Sequence, residues 1–594
     1  MSTSTNSVKS TFVGRSLRGL SRRVPAIVLI AVLSLLVIYP LAFLAYASLV
    51  NVAPRPGATG IAFTLDNFVA VVSPANLVAI QNSLVVSVLS TVFSVIIGGF
   101  LAWLVSRTDV PMRGLVRLSG SFPLFVAPLV GALAWSLLAS PRSGYINIVF
   151  REFGITGVVD VHSIVGMVMV FSLYYAPYSF LLLLGAFHLI NPEFEEAAQV
   201  HGAGTVRTMR TIAFPLVRPA MFGASLLTFV LVIENFSVPQ ILGTPANVET
   251  IPSRIFRLMN SAPISQNEAS AIGIALMAVV AGVMYLQRFM ASGKSVVSVT
   301  GKGYRPRLVA LGLWRWIALA FVAIYFVLAI ALPMFALFQG ALRKHTFILN
   351  FAALFDVSAF SLDSFVELFT SADLGRAFTN SMILGIGTTF LGGVLYIVFA
   401  FMSVRSKSRF GQVVEDISTI PVAMPALILS MGILWAWINL PVPVYGTMII
   451  LIIAYIVRFL PQGFQGIGNT IKQVSPELEE AAIVSGASRS RALVNITLPL
   501  IRTGAIGTLL LIFILSVREL TTSIFIITED TTTLAYMLFQ TWEYGQWGDV
   551  ATISIFYSLF LVIVTQLANR WIDAGSDTKS RERRKKRAAN VASH

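Results

Sequence analysis

The residues of this chain that could do chemistry are few, and they come twice. Glu195, Glu196, Ala197 and Ala198 are followed by Gly202, Ile212 and Pro215. Glu479, Glu480, Ala481, Ala482, Gly486, Ile496 and Pro499 repeat the same spacing 284 residues later. Each copy begins with a helix start, Asn191-Pro192 or Ser475-Pro476, in which Asn or Ser caps and proline takes the first helical position. The glutamates then sit near the positive end of the helix dipole. Gly202 and Gly486 mark a helix stop, where glycine can adopt positive φ. Thr205 or Ser488 can cap a second short helix, and Pro215 and Pro499 mark the start of the next apolar run. The chemistry this implies is recognition: a rigid helix–turn–helix on the membrane surface, whose small alanines let a partner approach closely.

A second group of polar residues lies inside apolar runs. Glu234 and Asn235 interrupt Val230–Pro239, and Arg518 and Glu519 interrupt Leu515–Leu520. A charge within a membrane span is costly and marks function by default. Glu234 and Arg518 each lie 32 residues beyond a motif glycine, so they are pseudo-equivalent. They are expected to face a central axis, pair across it, and form part of a gate or transient substrate site. The competing reading satisfies each within its own half, through Asn235 or Thr521. Tyr174 and Tyr175, before Pro177, read as packing or interface aromatics.

Other chemistry finds little support. The chain has no cysteine, and its five histidines form no metal-binding spacing. Ser292-Gly293-Lys294-Ser295 looks like the end of a phosphate loop, but Arg288 occupies the first glycine position and an apolar helix precedes it. With no nucleophile motif or paired-carboxylate site, this chain is not expected to be an enzyme. The net charge of +15 needs no nucleic acid, because cytoplasmic loops of membrane proteins are rich in Lys and Arg.

The chain is 594 residues long, 56% hydrophobic and 12% charged, against about 25% charged in soluble domains. The fold class is therefore an all-α polytopic membrane protein. Twelve spans are expected at 24–50, 81–105, 117–139, 163–187, 219–242, 268–290, 316–340, 380–404, 416–438, 447–467, 503–527 and 550–570. An N-terminus on the inside places most Lys and Arg inside, takes Arg518 as basic within a span, and puts both motifs in the cytoplasm. Residues 1–23 read as a basic cytoplasmic tail without fixed structure. The apolar run after it is too long for a signal peptide and reads as an uncleaved anchor. A first half spans 24–293, a basic linker 294–315, a second half 316–570, and a basic tail suited to anionic lipid 571–594.

The halves match beyond the motif. Phe63-Thr-Leu-Asp-Asn-Phe68 parallels Phe360-Ser-Leu-Asp-Ser-Phe365, Asn82-Ser83 parallels Asn380-Ser381, and Pro177 parallels Pro461. Both copies run the same way, giving a parallel six-plus-six repeat about an axis along the membrane normal. Pro123 and Pro128, with Pro421 and Pro425, are expected to kink spans three and nine.

The doubled motif resembles the EAA loop of the permease subunits of binding-protein-dependent ABC importers, of the type I kind. That resemblance implies two coupling helices, each inserted into one subunit of a homodimeric ATPase. It also implies a periplasmic or lipid-anchored substrate-binding protein at the outer face. ATP and magnesium would sit on the partner ATPase, with no cofactor bound by this chain. The location implied is a bacterial inner membrane, with both termini cytoplasmic. Fusion of both halves, and the linker Gly301-Lys-Gly-Tyr-Arg-Pro-Arg307 with Leu311-Gly-Leu-Trp-Arg-Trp316, look like the ferric-iron group. Ferric permeases tend to carry Lys-Glu-Leu-Pro-Ala-Thr in span eleven, where this chain has Arg518-Glu519-Leu520-Thr521-Thr522-Ser523. Ferric iron is the expected substrate. The alternatives are 2-aminoethylphosphonate, a hexose phosphate, thiamine or a polyamine. A secondary transporter shares the twelve-span layout but leaves the duplicated loop unexplained.

Overall fold

In lipid a backbone must satisfy its own hydrogen bonds, and a helix does so within one segment. The computed structural model describes residues 6–155, 157–190, 192–291, 308–343, 348, 350–406, 409–567 and 570. Among these, helices dominate and only isolated bridges stand in for strands. The first half contains α1 (Asn6–Ser48), α2 (Pro74–Arg107), α3 (Arg113–Ser121), α4 (Pro128–Ala139), α5 (Ile164–Leu189), α6 (Pro192–Val200), α7 (Phe214–Ile233) and α8 (Gln266–Ala291). The second contains α9 (Trp314–Ala341), α10 (Ala372–Arg405), α11 (Arg409–Thr419), α12 (Ala426–Ile438), α13 (Met448–Lys472), α14 (Pro476–Val484), α15 (Leu498–Arg518) and α16 (Trp547–Leu567). Among the described residues, ten helices are long and apolar enough to cross a membrane, or twelve if two bent pairs each count as one span.

Those bent pairs go beyond the kinks expected in spans three and nine. The chain turns by 102° between Arg113–Phe125 and Pro128–Ala139, and by 114° between Arg409–Ala423 and Ala426–Ile438. The prolines explain why the turns exceed a kink. Proline lacks an N–H and drives the residue before it out of the helical region. Ala127, before Pro128, and Met424, before Pro425, are both extended. Two further boundaries move. Spans five and eleven end at Ile233 and Arg518, short of the expected 242 and 527, so Glu234 and Arg518 lie at helix ends rather than mid-span. The segment from Asn6 continues α1 as helix, against the expectation of an irregular tail, because propagating a helix is cheap once nucleated. Most of the linker, 292–307, and the tail 571–594 lie outside the described residues; Val309 is held by the Arg107 carbonyl at 2.8 Å.

Each half lends its first helix to the other. Leu33 and Val37 of α1 are buried in one core with Leu429 and Ile433 of α12. In return, Phe321 of α9 meets Phe100 of α2 edge-on at 4.9 Å, and the Tyr325 hydroxyl donates to the Leu173 carbonyl in α5 at 2.9 Å.

The central packing within each half uses complementary sizes. A Cβ at Gly98 of α2 would lie 2.4 Å from the Ala176 carbonyl oxygen and 2.8 Å from the Ser179 Cβ in α5. Counting from Asn82 and Asn380, the counterpart of Gly98 is Tyr396; counting from Pro177 and Pro461, the counterpart of Ser179 is Gly463. The bulk has moved across the contact: Tyr396 of α10 covers Gly463 of α13, where a Cβ would lie 2.2 Å from the ring. Overpacking such a contact costs about 1–3 kcal/mol. Gly98→Ala should therefore lower the thermal midpoint of the detergent-solubilised protein, while Gly223→Ala, with no atom within 4 Å of its Cβ, should not. Equal midpoints would contradict this packing.

Candidate functional site: a charged cluster between the halves and two surface helices

Glu234 follows the last residue of α7, and Asn235 fixes the stop by accepting the Val238 N–H at 3.0 Å. The Glu234 carboxylate does not pair with Arg518. It receives the Arg458 guanidinium from α13, Nη2 to Oε1 at 2.8 Å and Nη1 to Oε2 at 3.5 Å. This is a forked ion pair across the two halves, with Glu234 9% and Arg458 15% exposed. Sequence reasoning singled out Arg518 and passed over Arg458, although that residue lies within the expected span 447–467. The signal was present, since Arg458 interrupts an apolar run as plainly as Arg518 does. Its counterpart in the first half is Tyr174, so the repeat breaks its symmetry here.

Arg518 instead donates to the Leu124 carbonyl at 2.8 Å, and Arg458 also reaches the Met424 carbonyl at 3.4 Å. Leu124 and Met424 lie at the two breaks, where short 3₁₀ turns leave carbonyls with no partner in their own helix. A cation at the negative end of a helix is favourable as well as a hydrogen-bond donor. Glu519 is satisfied locally: its Oε1 accepts from the Thr522 N–H at 2.9 Å and the Thr522 hydroxyl at 3.1 Å. Asn235 donates to the Tyr175 hydroxyl at 3.0 Å, whereas Tyr174 packs its ring over Gly131. The expected Glu234–Arg518 pair is thus replaced by Glu234–Arg458, and neither Glu234 nor Arg518 is satisfied within its own half: each bonds a group of the other half.

The doubled motif forms paired short helices. Ser475 caps α14 by accepting the Glu477 N–H at 3.4 Å, and Ser488 accepts the Arg491 N–H at 3.3 Å. Asn191 and the side chains of Glu195, Glu196 and Thr205 lie outside the described residues. Gly202 and Gly486 take φ of +77° and +92°. The N–H groups of Ala203 and Ala487 then return to the carbonyls of Ala198 and Ala482, at 2.9 and 3.0 Å. Both copies therefore close with the same glycine-dependent stop. A π turn follows in each, Met209–Ala213 and Leu493–Thr497, directly before Pro215 and Pro499. Ile212 and Ile496 are half-buried against this base. Apolar residues point outward at matching places: Phe194 and Leu478, and Val200 and Val484, the last two 85% and 88% exposed.

Glu479 and Glu480 do different things. Glu480 and Ala481 are exposed, while Ala482 is half-buried. Glu479 is buried and bonds Arg405 at 2.9 Å and the Thr497 hydroxyl at 2.7 Å. Among the described residues no cluster of three or more His, Cys, Asp or Glu could hold a metal ion.

Contacting residues in one ion pair couple by about 0.5–3 kcal/mol. A double-mutant cycle of Glu234→Gln with Arg458→Gln, read by chemical unfolding in micelles, should give a coupling in the upper part of that range. The same cycle with Arg518→Gln should give a smaller one. Equal couplings would show that Arg458 is not the main partner.

A profile described as "Binding-protein-dependent transport system inner membrane component" matches residues 90–292 and again 392–577. The ferric transport system permease protein FbpB of Actinobacillus pleuropneumoniae is 24% identical over 490 residues, covering 82% of this chain and 69% of that one. A putative ferric transport system permease protein FbpB 1 of Haemophilus influenzae is 26% identical over 462 residues, covering 76% and 70%. Among solved structures, a bacterial ABC transporter involved in the import of the acidic polysaccharide alginate aligns with 40% of this chain and 86% of its own, at 22% identity and a TM-score of 0.36. The two tandem matches together span more than half of the sequence, and the chain belongs to the family of binding-protein-dependent transport system inner membrane components, with both halves in one polypeptide.

Proposed function

We propose that this chain is a membrane subunit of an ATP-driven importer whose substrate is ferric iron. The observation that carries the coupling part is the pair α6 and α14. They are equivalent in sequence, closed by the same glycine stop, and tipped with exposed apolar residues at Val200 and Val484. Such knobs suit clefts on the two subunits of a homodimeric ATPase, which binds the ATP and magnesium. Both short helices and both termini face the cytoplasm. Nucleotide binding draws α6 and α14 together and rocks the halves about the charged cluster. Glu234, Asn235, Arg518 and Glu519, with Arg458, form the gate of the pathway. A periplasmic or lipid-anchored binding protein delivers the substrate to the outer mouth. Iron is favoured by the named role of the two ferric relatives, each aligned over most of this chain.

The test is ATP hydrolysis by the reconstituted complex with its cognate ATPase and binding protein. Ferric ion should stimulate hydrolysis several-fold, and 2-aminoethylphosphonate, hexose phosphate, thiamine and putrescine should not. Stimulation by one of the organic solutes alone would discard iron and keep the importer. Failure of any ATPase to assemble on the chain would discard the importer reading itself.

A further inference from the structure

Arg405 is the last residue of α10, and its guanidinium holds two other elements. Its Nε bonds Glu479 Oε1 of α14 at 2.9 Å. Its Nη2 bonds the carbonyls of Val474 at 2.8 Å and Ile471 at 3.2 Å, at the end of α13. The same Glu479 oxygen takes the Thr497 hydroxyl at 2.7 Å, from the π turn that leads into α15. The Arg405–Glu479 ion pair therefore ties together α10, the end of α13, α14 and the turn leading into α15. A buried charge pair of this kind is strongly destabilised when one partner is lost.

The first half repeats the grip. Arg107, the last residue of α2, bonds the carbonyls of Phe187 at 2.6 Å and Ile190 at 3.0 Å. Phe187 and Ile190 lie 284 residues before Ile471 and Val474, so both arginines choose the same two carbonyls. Ala213 stands where the second half has Thr497, so the hydroxyl belongs to the second half alone.

The helices held by this cluster are those that carry the charged residues of the pathway. Arg458 lies on α13, and Arg518 ends α15. We infer that Arg405, with Thr497, is a transmission clamp. It makes α14 move as one body with α13 and α15, so that displacement of the surface helix is delivered to Arg458 and Arg518. Arg405 and Thr497 are positioning residues, and the inference rests on the coupling role proposed for α14.

The test compares substrate transported per ATP hydrolysed in reconstituted complexes of the wild type, Arg405→Gln, Arg405→Lys and Thr497→Ala. Arg405→Gln should still assemble with the ATPase and hydrolyse ATP, but transport per ATP should fall at least tenfold. Stimulation by the binding protein should be lost with it. Arg405→Lys keeps the charge with fewer donors and should fall between. Thr497→Ala, which installs the residue the first half already has, should lower the ratio by a few-fold without impairing assembly. Because the chain has no cysteine, spin labels can be placed at Val484 and Lys472 alone. Their distance distribution in the isolated chain should broaden in Arg405→Gln. A wild-type ratio and an unbroadened distance in Arg405→Gln would overturn the clamp. So would transport and hydrolysis falling in equal proportion in all three variants. A wild-type chain that binds no ATPase would instead overturn the coupling reading, and the distance measurement would still decide whether Arg405 fixes α14 to α13.

Discussion

A helix that stops in a dry interior leaves carbonyls with no water to receive, and each such group costs several kcal/mol unless a donor reaches it. This chain stops helices there repeatedly: α7 and α15 end at Ile233 and Arg518, and two proline-broken spans turn through more than a right angle. Arginines supply the donors. Arg518 of the second half serves Leu124 of the first, and Arg458 serves both Met424 and Glu234. The breaks and the charges are thus mutually dependent. A buried charge stripped of its partner is penalised more heavily than the pair is rewarded. Removing any one of these partners leaves another buried polar group unsatisfied.

The first helices are exchanged: α1 packs on the second half and α9 on the first. Within each half the central contact is tight, at Gly98 between α2 and α5 and at Tyr396 and Gly463 between α10 and α13. The repeat departs from symmetry at both places: Tyr396 stands where the first half has Gly98, and Arg458 where it has Tyr174.

Much of this was legible from residue types. The motif glycines announced their positive φ, and the prolines of spans three and nine announced a break, although local sequence does not say how far the chain turns. Asn82-Ser83 and Asn380-Ser381 matched in sequence and match in role: Ser83 accepts the Ile251 N–H at 2.7 Å, and Ser381 accepts that of Leu534 at 2.9 Å. What was not legible was pairing. Glu234 and Arg518 are equidistant from their glycines, but the partner of Glu234 is set by how α13 crosses α7, which spacing along the chain does not encode. Glu479 and Glu480 are adjacent and chemically identical; only the helix orientation decides that one is an internal anchor and the other faces outward. Arg107 and Arg405 read as ordinary topology charges, and their shared choice of carbonyls emerges only in three dimensions.

In the proposed cycle the two short helices approach one another when the partner ATPase binds nucleotide, and this motion works the charged cluster. Labels at Val200 and Val484, the most exposed apolar residues of α6 and α14, measure it in the assembled complex. A shorter Val200–Val484 distance is expected when the complex is trapped with ATP than in its nucleotide-free state. An unchanged distance in a complex that hydrolyses ATP and transports substrate would contradict it.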